Sequence, residues 1–268
     1  MLGTGDLFHY SICASCGSRS LADPPIDMTP YYPATYGPFV PRTGAIVALR
    51  RRFLADDKWR ALRRINPQRE WRVLDVGSGA GEFLRSLEAR GFRHLTGVDP
   101  FLPREVRAEG RFRIIKGSVR DLAGEDFDLV TMHHVIEHAP DTREFLANVA
   151  SLLASGGLIL VRTPLVDSWA ARTYGARWVQ HDAPRHHVLL TSLGLERAAA
   201  AAGLFVADSW RDEGRWQAWA GATLAAGGDP FRAKPFAVRL GGLRYAHSAR
   251  RRNAQRIGDS GCFVLRRP

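Results

Sequence analysis

The chain has 268 residues, 45% of them hydrophobic and 24% charged, enough for one sizeable globular core with some sequence left over. It contains no apolar run of the ~18–20 residues that a membrane-spanning helix needs, and its three cysteines, Cys13, Cys16 and Cys262, are too few for a disulfide framework. The formal net charge of +11 is almost entirely arginine, since Lys58, Lys116 and Lys234 are the only lysines; it fits either a solvated surface or an anionic partner such as nucleic acid, anionic membrane or a phosphorylated compound.

Met1 to Tyr10 has neither a basic start nor an apolar stretch, which predicts no secretory signal and a cytoplasmic location. Residues 1–40 read as a separate N-terminal extension, and residues 41–268 as the main domain. The extension carries Cys13-Ala14-Ser15-Cys16-Gly17, which has zinc-knuckle spacing. A structural zinc needs four ligands; His9 would be a third and a fourth is missing, so no metal site is assigned. A loop-rich stretch follows, with Tyr31, Tyr32 and Tyr36 among five prolines.

Ile46, Leu49 and Phe53 predict a helix over 44–65, along which a first arginine cluster runs from Arg42 to Arg64. Strands are predicted at 72–77, 94–99, 112–117, 127–133, 157–163, 204–210 and 261–266. Helices fall between them. One is predicted over 142–155, with Phe145, Leu146, Val149, Leu152 and Leu153 as its apolar stripe and Gly156 as its cap. Another spans 192–202 and ends at Gly203. Short apolar strands alternating with helices define an α/β fold, a parallel sheet covered on both faces. Residues 213–258 break the alternation, with Trp216, Trp219 and Tyr245 among a second arginine cluster, and read as an inserted cap or surface element.

The first strand runs into Asp75-Val76-Gly77-Ser78-Gly79-Ala80-Gly81. Glycines at alternate positions permit positive φ and let a ligand approach the backbone. The turn lies at the carboxyl end of a strand, where open α/β sheets bind ligands. A dinucleotide loop would read G-x-G-x-x-G and present a helix N-terminus to a pyrophosphate. Here the spacing is G-x-G-x-G, with acidic Asp75 two positions ahead. S-adenosylmethionine has no phosphate but carries an ammonium and a sulfonium, which suit that carboxylate. Asp99, 22 residues after Gly77 and followed by Pro100, ends the second strand, where a carboxylate can accept from both ribose hydroxyls.

The segment from about 45 to 210, with the last strand, resembles class I S-adenosylmethionine methyltransferases, most of all the small-molecule subgroup that includes ubiquinone-type enzymes. The matching segments are Leu74 to Gly81, Gly97-Val98-Asp99, Phe127 to Val130, Val135-Ile136-Glu137-His138 and Gly156-Gly157. The resemblance implies a Rossmann-like seven-stranded sheet, helices on both faces and the last strand antiparallel. It implies cofactor contacts at Asp75, Gly77, Ser78, Gly79, Gly81, Asp99 and Pro100. It places Ser118 and Val119 at the adenine edge, Ser118 standing where members often have an acidic residue, and sets His133 beside the cofactor. Residues 9–36 resemble the second half of a zinc ribbon that precedes some of these enzymes.

Methyl transfer is an in-line displacement at a carbon already activated by the sulfonium, so the protein must chiefly align donor and acceptor. A hydroxyl acceptor must also lose a proton, and histidine is the natural base. Six of the nine histidines lie between 133 and 187. His186 is the first choice for the base and His134 the second. Glu137 and His138 order a helix start or bind a divalent ion. Trp178, Asp182 and Arg185 fall in Trp-x-x-x-Asp-x-Pro-Arg-His, which resembles a segment closing the acceptor pocket; Arg185 either grips an acceptor anion or pairs with Asp182.

The expected activity is methyl transfer to a small-molecule, sugar or lipid-linked acceptor, at oxygen. Two alternatives stand beside it: a nucleic-acid methyltransferase using the basic clusters, and a catalytically silent cofactor-binding protein. Against the former, His133-His134-Val135-Ile136 stands where an Asp/Asn-Pro-Pro-aromatic segment would grip a flipped base. Peripheral contact with anionic membrane is a further reading of the arginines, and the sequence leaves the oligomeric state open.

Overall fold

A computed structural model describes residues 6–32, 57–102, 112–228 and 235–268. Among these, ten strands and seven α-helices alternate much as the apolar pattern predicts. The strands are β1 (Tyr10–Ile12), β2 (Arg19–Leu21), β3 (Arg72–Val76), β4 (His94–Val98), β5 (Phe112–Ile115), β6 (Phe127–His133), β7 (Leu153–Pro164), β8 (Val188–Leu189), β9 (Phe205–Asp212) and β10 (Ser260–Arg266). The helices are α1 (Asp57–Leu62), α2 (Glu82–Glu88), α3 (Thr142–Ser151), α4 (Trp169–Tyr174), α5 (Ser192–Ala201), α6 (Arg215–Ala225) and α7 (Pro235–Ala254).

Seven strands form one sheet in the order β5-β4-β3-β6-β7-β10-β9. Neighbours from β5 to β7 are parallel, and β10 is antiparallel to both β7 and β9. Successive side chains of a strand point to opposite faces, so each central strand feeds two cores. Leu74, Val76, Val130, Met132, Ile159 and Val161 pack on one face with Leu146 and Val149 of α3 and Leu195 of α5. Val73, Leu129, Leu158 and Leu160 pack on the other with Phe83, Leu84 and Leu87 of α2 and Leu62 of α1. The order reverses direction at β3/β6. Both the β3–α2 turn and the residues after β6 therefore emerge at the same carboxyl edge, where such sheets hold ligands.

Two boundaries differ from the sequence expectation. Helix α3 begins as predicted, capped by Asp141, whose carboxylate accepts from the Glu144 amide at 2.9 Å. It stops at Ser151, and β7 starts at Leu153, opposite Phe127. Gly156, with φ +71°, sits in the ensuing irregularity of the β6–β7 register rather than capping a helix. Of the helix predicted over 44–65, only the end is described: α1 and one 3₁₀ turn, Arg63–Ile65. Ile46, Leu49 and Phe53 lie outside the described residues.

The N-terminal hairpin is not a separate body. Strand β2 pairs with β8, making a three-stranded sheet, β1-β2-β8, with the segment that follows His186. Thr191 caps α5 and also donates to the Cys16 carbonyl at 2.8 Å, while its amide donates to Ser18 Oγ at 3.1 Å. The segment 213–258 contains α6 and α7. Inside it Arg252 donates two hydrogen bonds to Glu213 at 2.6 and 2.7 Å, and Trp219 packs near Tyr245 and near Val179, which lies outside the segment. Arg252 also lies 4.5 Å over the Trp169 ring, and Arg64 4.5 Å over Trp210. These arginines of the two clusters cover aromatic rings with their guanidinium planes, a use the sequence does not reveal.

Candidate functional site

The glycine turn and Asp99 meet at the carboxyl edge. Gly77, Gly79 and Gly81 all have positive φ, at 66°, 53° and 82°. The Gly79 amide donates to Asp99 Oδ2 at 2.9 Å, and the Phe101 amide donates to Asp99 Oδ1, also at 2.9 Å. Burial raises the pKa of Asp99, against the two amides and the nearby charge of His138. A carboxylate has about four acceptor sites, so Asp99 keeps capacity for two further donors. Asp75 is buried below the turn; Thr131 Oγ1 donates to its Oδ1 at 2.8 Å, and its Oδ2 has no hydrogen-bond partner. Burial raises its pKa too, and the Lys58 charge opposes this. Ser118 starts the short turn after β5 in a capping box with Asp121, and Val119 is buried.

His133 ends β6 almost fully buried, edge-on to the Phe83 ring at 4.9 Å, with neither ring nitrogen hydrogen-bonded. Its pKa is pushed well below the ordinary value by burial first, then by Lys58, Arg162 and His134, so the imidazole is neutral. These unpartnered polar atoms, Asp75 Oδ2 and the His133 nitrogens, beside a glycine turn open to a ligand, fit the cationic methionine end of S-adenosylmethionine. Gly77 is tightly constrained: a Cβ there would lie 2.6 Å from Val135 Cγ2, in a backbone conformation L residues rarely adopt. Gly77→Ala should therefore abolish measurable cofactor binding and lower the melting temperature, which calorimetry and a thermal melt will read. Wild-type affinity in that variant would contradict the placement of the turn.

Beyond the turn lies a polar chain. His134 has φ +59°, a strained conformation for a non-glycine residue and one that clusters at functional sites. Its Nδ1 faces Glu137 Oε1 at 3.1 Å, and its Nε2 faces Arg162 Nη1 at 2.6 Å. Arginine only donates, so Nε2 is the acceptor and Nδ1 carries the proton that goes to Glu137. Thr163 Oγ1 donates to the other Glu137 oxygen at 2.9 Å, and Arg162 Nε donates to Asp212 at 2.5 Å. Although burial pushes Glu137 upward, above all the hydrogen bond from His134 holds it down at about 2. His134 is shifted below its ordinary value by burial, then by Arg162, against the pull of Glu137. The pair is a carboxylate and a neutral imidazole. Glu137 is 1% exposed and Arg162 4%, whereas the His134 side chain is 29% exposed and forms the open end of the chain.

The remaining sequence candidates fall in a neighbouring buried cluster. His186 Nδ1 donates to the Gln180 carbonyl at 2.7 Å, its ring packs edge-on to His138 at 4.8 Å, and its side chain is only 6% exposed. His186, the first choice for the base, is enclosed, whereas the second choice, His134, is part-exposed. Trp178, expected to help close the acceptor pocket, is corrected. It is fully buried and donates its indole N–H to Asp259 at 2.6 Å, so it offers no face to an acceptor. Arg185 takes the internal alternative, with Nη2 and Nε on the Asp182 carboxylate at 2.5 and 3.0 Å. Glu137, His138 and His186 bring ligand-type atoms within 4.8 Å of one another, but both Glu137 oxygens already hold hydrogen bonds. Arg162 and Lys58 were not singled out from the sequence. Arg162 left a signal, a lone charge in the apolar strand Leu158-Ile159-Leu160-Val161-Arg162-Thr163; Lys58 left none.

A seven-stranded sheet of this order, with a glycine turn and a distal carboxylate at its carboxyl edge, defines a Rossmann-like methyltransferase. The chain belongs to the methyltransferase-domain family, whose model matches residues 46–208, and it is an S-adenosylmethionine-dependent enzyme. It is 27% identical over 183 residues to the ubiquinone biosynthesis O-methyltransferase of Aeromonas salmonicida (strain A449), covering 57% of this chain and 76% of that one. It is 31% identical over 156 residues to the enzyme of the same name from Azorhizobium caulinodans, covering 53% and 61%. The chain thus spans about three fifths to three quarters of the length of these relatives. Among solved structures, it matches a chain of the complex between the Haloferax volcanii Trm112 methyltransferase activator and a methyltransferase. That likeness has TM-score 0.54 and 20% identity, covers 82% of this chain and 94% of that one, and concerns the fold alone.

Proposed function

We propose that the chain transfers the methyl group of S-adenosylmethionine to a hydroxyl oxygen of a small-molecule, sugar or lipid-linked acceptor, with His134 as the base. The Glu137–His134 pair carries this reading. Glu137 accepts the Nδ1 hydrogen bond and so leaves Nε2 as the basic atom, on a side chain that is 29% exposed. In the acceptor-free chain Arg162 occupies that lone pair, and the acceptor hydroxyl takes its place. S-adenosylmethionine supplies an electrophilic methyl group; the residues around it align the acceptor and remove its proton.

In this reading Asp99 holds the ribose and Gly77, Ser78, Gly79 and Gly81 admit the backbone edge of the donor. Pro100, Ser118 and Val119 border the adenine, and Asp75 and His133 lie below the methionine end. The curated relatives are named for O-methylation, which supports oxygen as the acceptor atom. No helix among the described residues is long and apolar enough to cross a membrane.

The test is a mass-shift screen with isotopically methyl-labelled S-adenosylmethionine against phenols, hydroxy acids, monosaccharides and duplex or single-stranded oligonucleotides. A labelled methyl ether on a hydroxyl compound is expected. Labelled oligonucleotide, with the steep salt dependence of a multi-phosphate contact, would replace the proposal with the nucleic-acid reading. Binding of the donor without any transfer would leave a silent cofactor-binding protein.

A further inference from the structure

The N-terminal hairpin ends in a feature that methyl transfer does not use. Cys13 and Cys16 stand on the turn between β1 and β2. Gly17, at φ +74°, closes that turn by donating its amide to the Cys13 carbonyl at 2.8 Å, and the Cys13 amide donates to the Ser18 carbonyl at 2.8 Å. The turn rests on the main domain. Arg197 of α5 donates to the Ser15 carbonyl at 2.9 Å, and Thr191 donates to the Cys16 carbonyl. Neither thiol is in a disulfide; Cys13 is exposed and Cys16 half-buried. Each sulfur has a serine hydroxyl at 3.3 Å, Ser15 on Cys13 and Ser18 on Cys16. The main-chain N–H groups of Ser15 and Cys16 also hydrogen-bond to the Cys13 sulfur. Donors aimed at a sulfur favour the thiolate, which is the form that binds metals.

Two cysteines at this spacing on a hairpin turn offer two corners of a tetrahedral thiolate site. Neither lies at a helix N-terminus, the setting that activates a redox pair. The third ligand expected from the sequence is withdrawn. His9 stands at the far end of β1, its carbonyl accepting from the Ala22 amide, and four residues of extended chain put it about 13 Å from Cys13. Among the described residues, no His, Asp or Glu gathers with the two sulfurs as a third ligand. Two ligands leave a zinc ion half-coordinated, whereas structural zinc sites are closed with four.

A two-fold axis through the metal repeats the pair and supplies the two missing corners. The surroundings suit such a contact. Ile12, next to Cys13, and Leu193, which precedes the Gly194 packed on Ser18, are exposed apolar side chains. A zinc ion held by four thiolates is net negative, which favours a contact between two chains that each carry +11. We propose that Cys13 and Cys16 are half of a zinc site, completed by the same pair from a second copy of the chain, so that one tetrathiolate zinc links two chains. This site is independent of the methyl-transfer reading.

The full chain is stripped with a chelator and titrated with zinc chloride, with and without reductant, while light scattering reads the mass and elemental analysis the bound metal. The expected result is one zinc per two chains, with monomer converting to dimer and the chelator reversing it. Cobalt(II) in place of zinc should give the intense visible absorption of a tetrahedral all-thiolate centre. A chain with both Cys13→Ser and Cys16→Ser should remain monomeric in zinc, take up none at this site, and keep its S-adenosylmethionine affinity within twofold. No zinc uptake by the wild-type chain would overturn the proposal. So would one zinc on each monomer, which closes the site within one chain. A dimer that survives both the chelator and the double substitution would place the contact elsewhere, and one dissolved by reductant but not by chelator would replace the metal with disulfides; either overturns it. Failure of the methyl-transfer reading would leave the zinc stoichiometry and the mass unchanged.

Discussion

Asp99→Ala is expected to weaken S-adenosylmethionine binding by two orders of magnitude or more, read by titration calorimetry. Asp99 does two jobs through one carboxylate. It accepts the amides of Gly79 and Phe101, which fixes the glycine turn against the end of β4. In the proposed reading its remaining acceptor capacity receives the ribose hydroxyls. Hydrogen bonds to a charged group contribute about 1.5–3 kcal/mol each, so two lost ribose contacts amount to roughly 3–6 kcal/mol, and about 1.4 kcal/mol is a tenfold change in affinity. A thermal melt of the same variant separates this from unfolding. Asp99→Asn keeps one acceptor oxygen for the turn and should lie between wild type and alanine. Unchanged donor affinity in a folded Asp99→Ala chain would remove the ribose assignment.

The sheet was legible because its physical causes are local. Short apolar runs bounded by glycine, with helical stripes between them, leave one economical solution, a parallel sheet buried on both faces. Leu146 and Val149 mark a helix face in the sequence and fill the predicted role in the core. The turn at 77–81 was legible for the same reason, since positive φ at alternate residues selects glycine. Where β7 begins was not legible. Leu152 and Leu153 continue the α3 stripe in sequence, and only pairing with Phe127 assigns Leu153 to the sheet. Propensity there is overridden by a tertiary contact.

For the proposed base the sequence offers a crowd of histidines and no order among them. His134 and His186 are equivalent in composition and both follow strands of the same edge. What separates them is exposure and partners. Gln180 closes over one ring through its carbonyl, while Glu137 orients the other and leaves it open. Partners far apart in the chain, such as Trp178 and Asp259 or Glu137 and Thr163, carry no periodicity and no spacing that a sequence exposes. The same holds for the N-terminal hairpin. Its proline-rich surroundings suggest a detached extension, yet two backbone pairings with β8 bind it to the domain.

His134→Gln is expected to lower kcat by about 10²–10⁴-fold, the range of a lost general base, with S-adenosylmethionine affinity within twofold of wild type. Glutamine keeps a donor for Glu137 but supplies no basic nitrogen, so binding and chemistry separate. The pH profile is the second reading. Catalysis needs neutral His134, and its pKa lies below the ordinary 6.5, first through burial and then through Arg162. The rate should therefore fall on acidification only below pH 6.5, as the imidazole takes up a proton. His186→Gln supplies the contrast: with its Nδ1 on the Gln180 carbonyl and its ring enclosed, it should change kcat by less than threefold and leave the acid limb in place. The opposite pattern, a collapse in His186→Gln with His134→Gln near wild type, would return the proton to the buried histidine. It would also require the 180–186 loop to open during turnover.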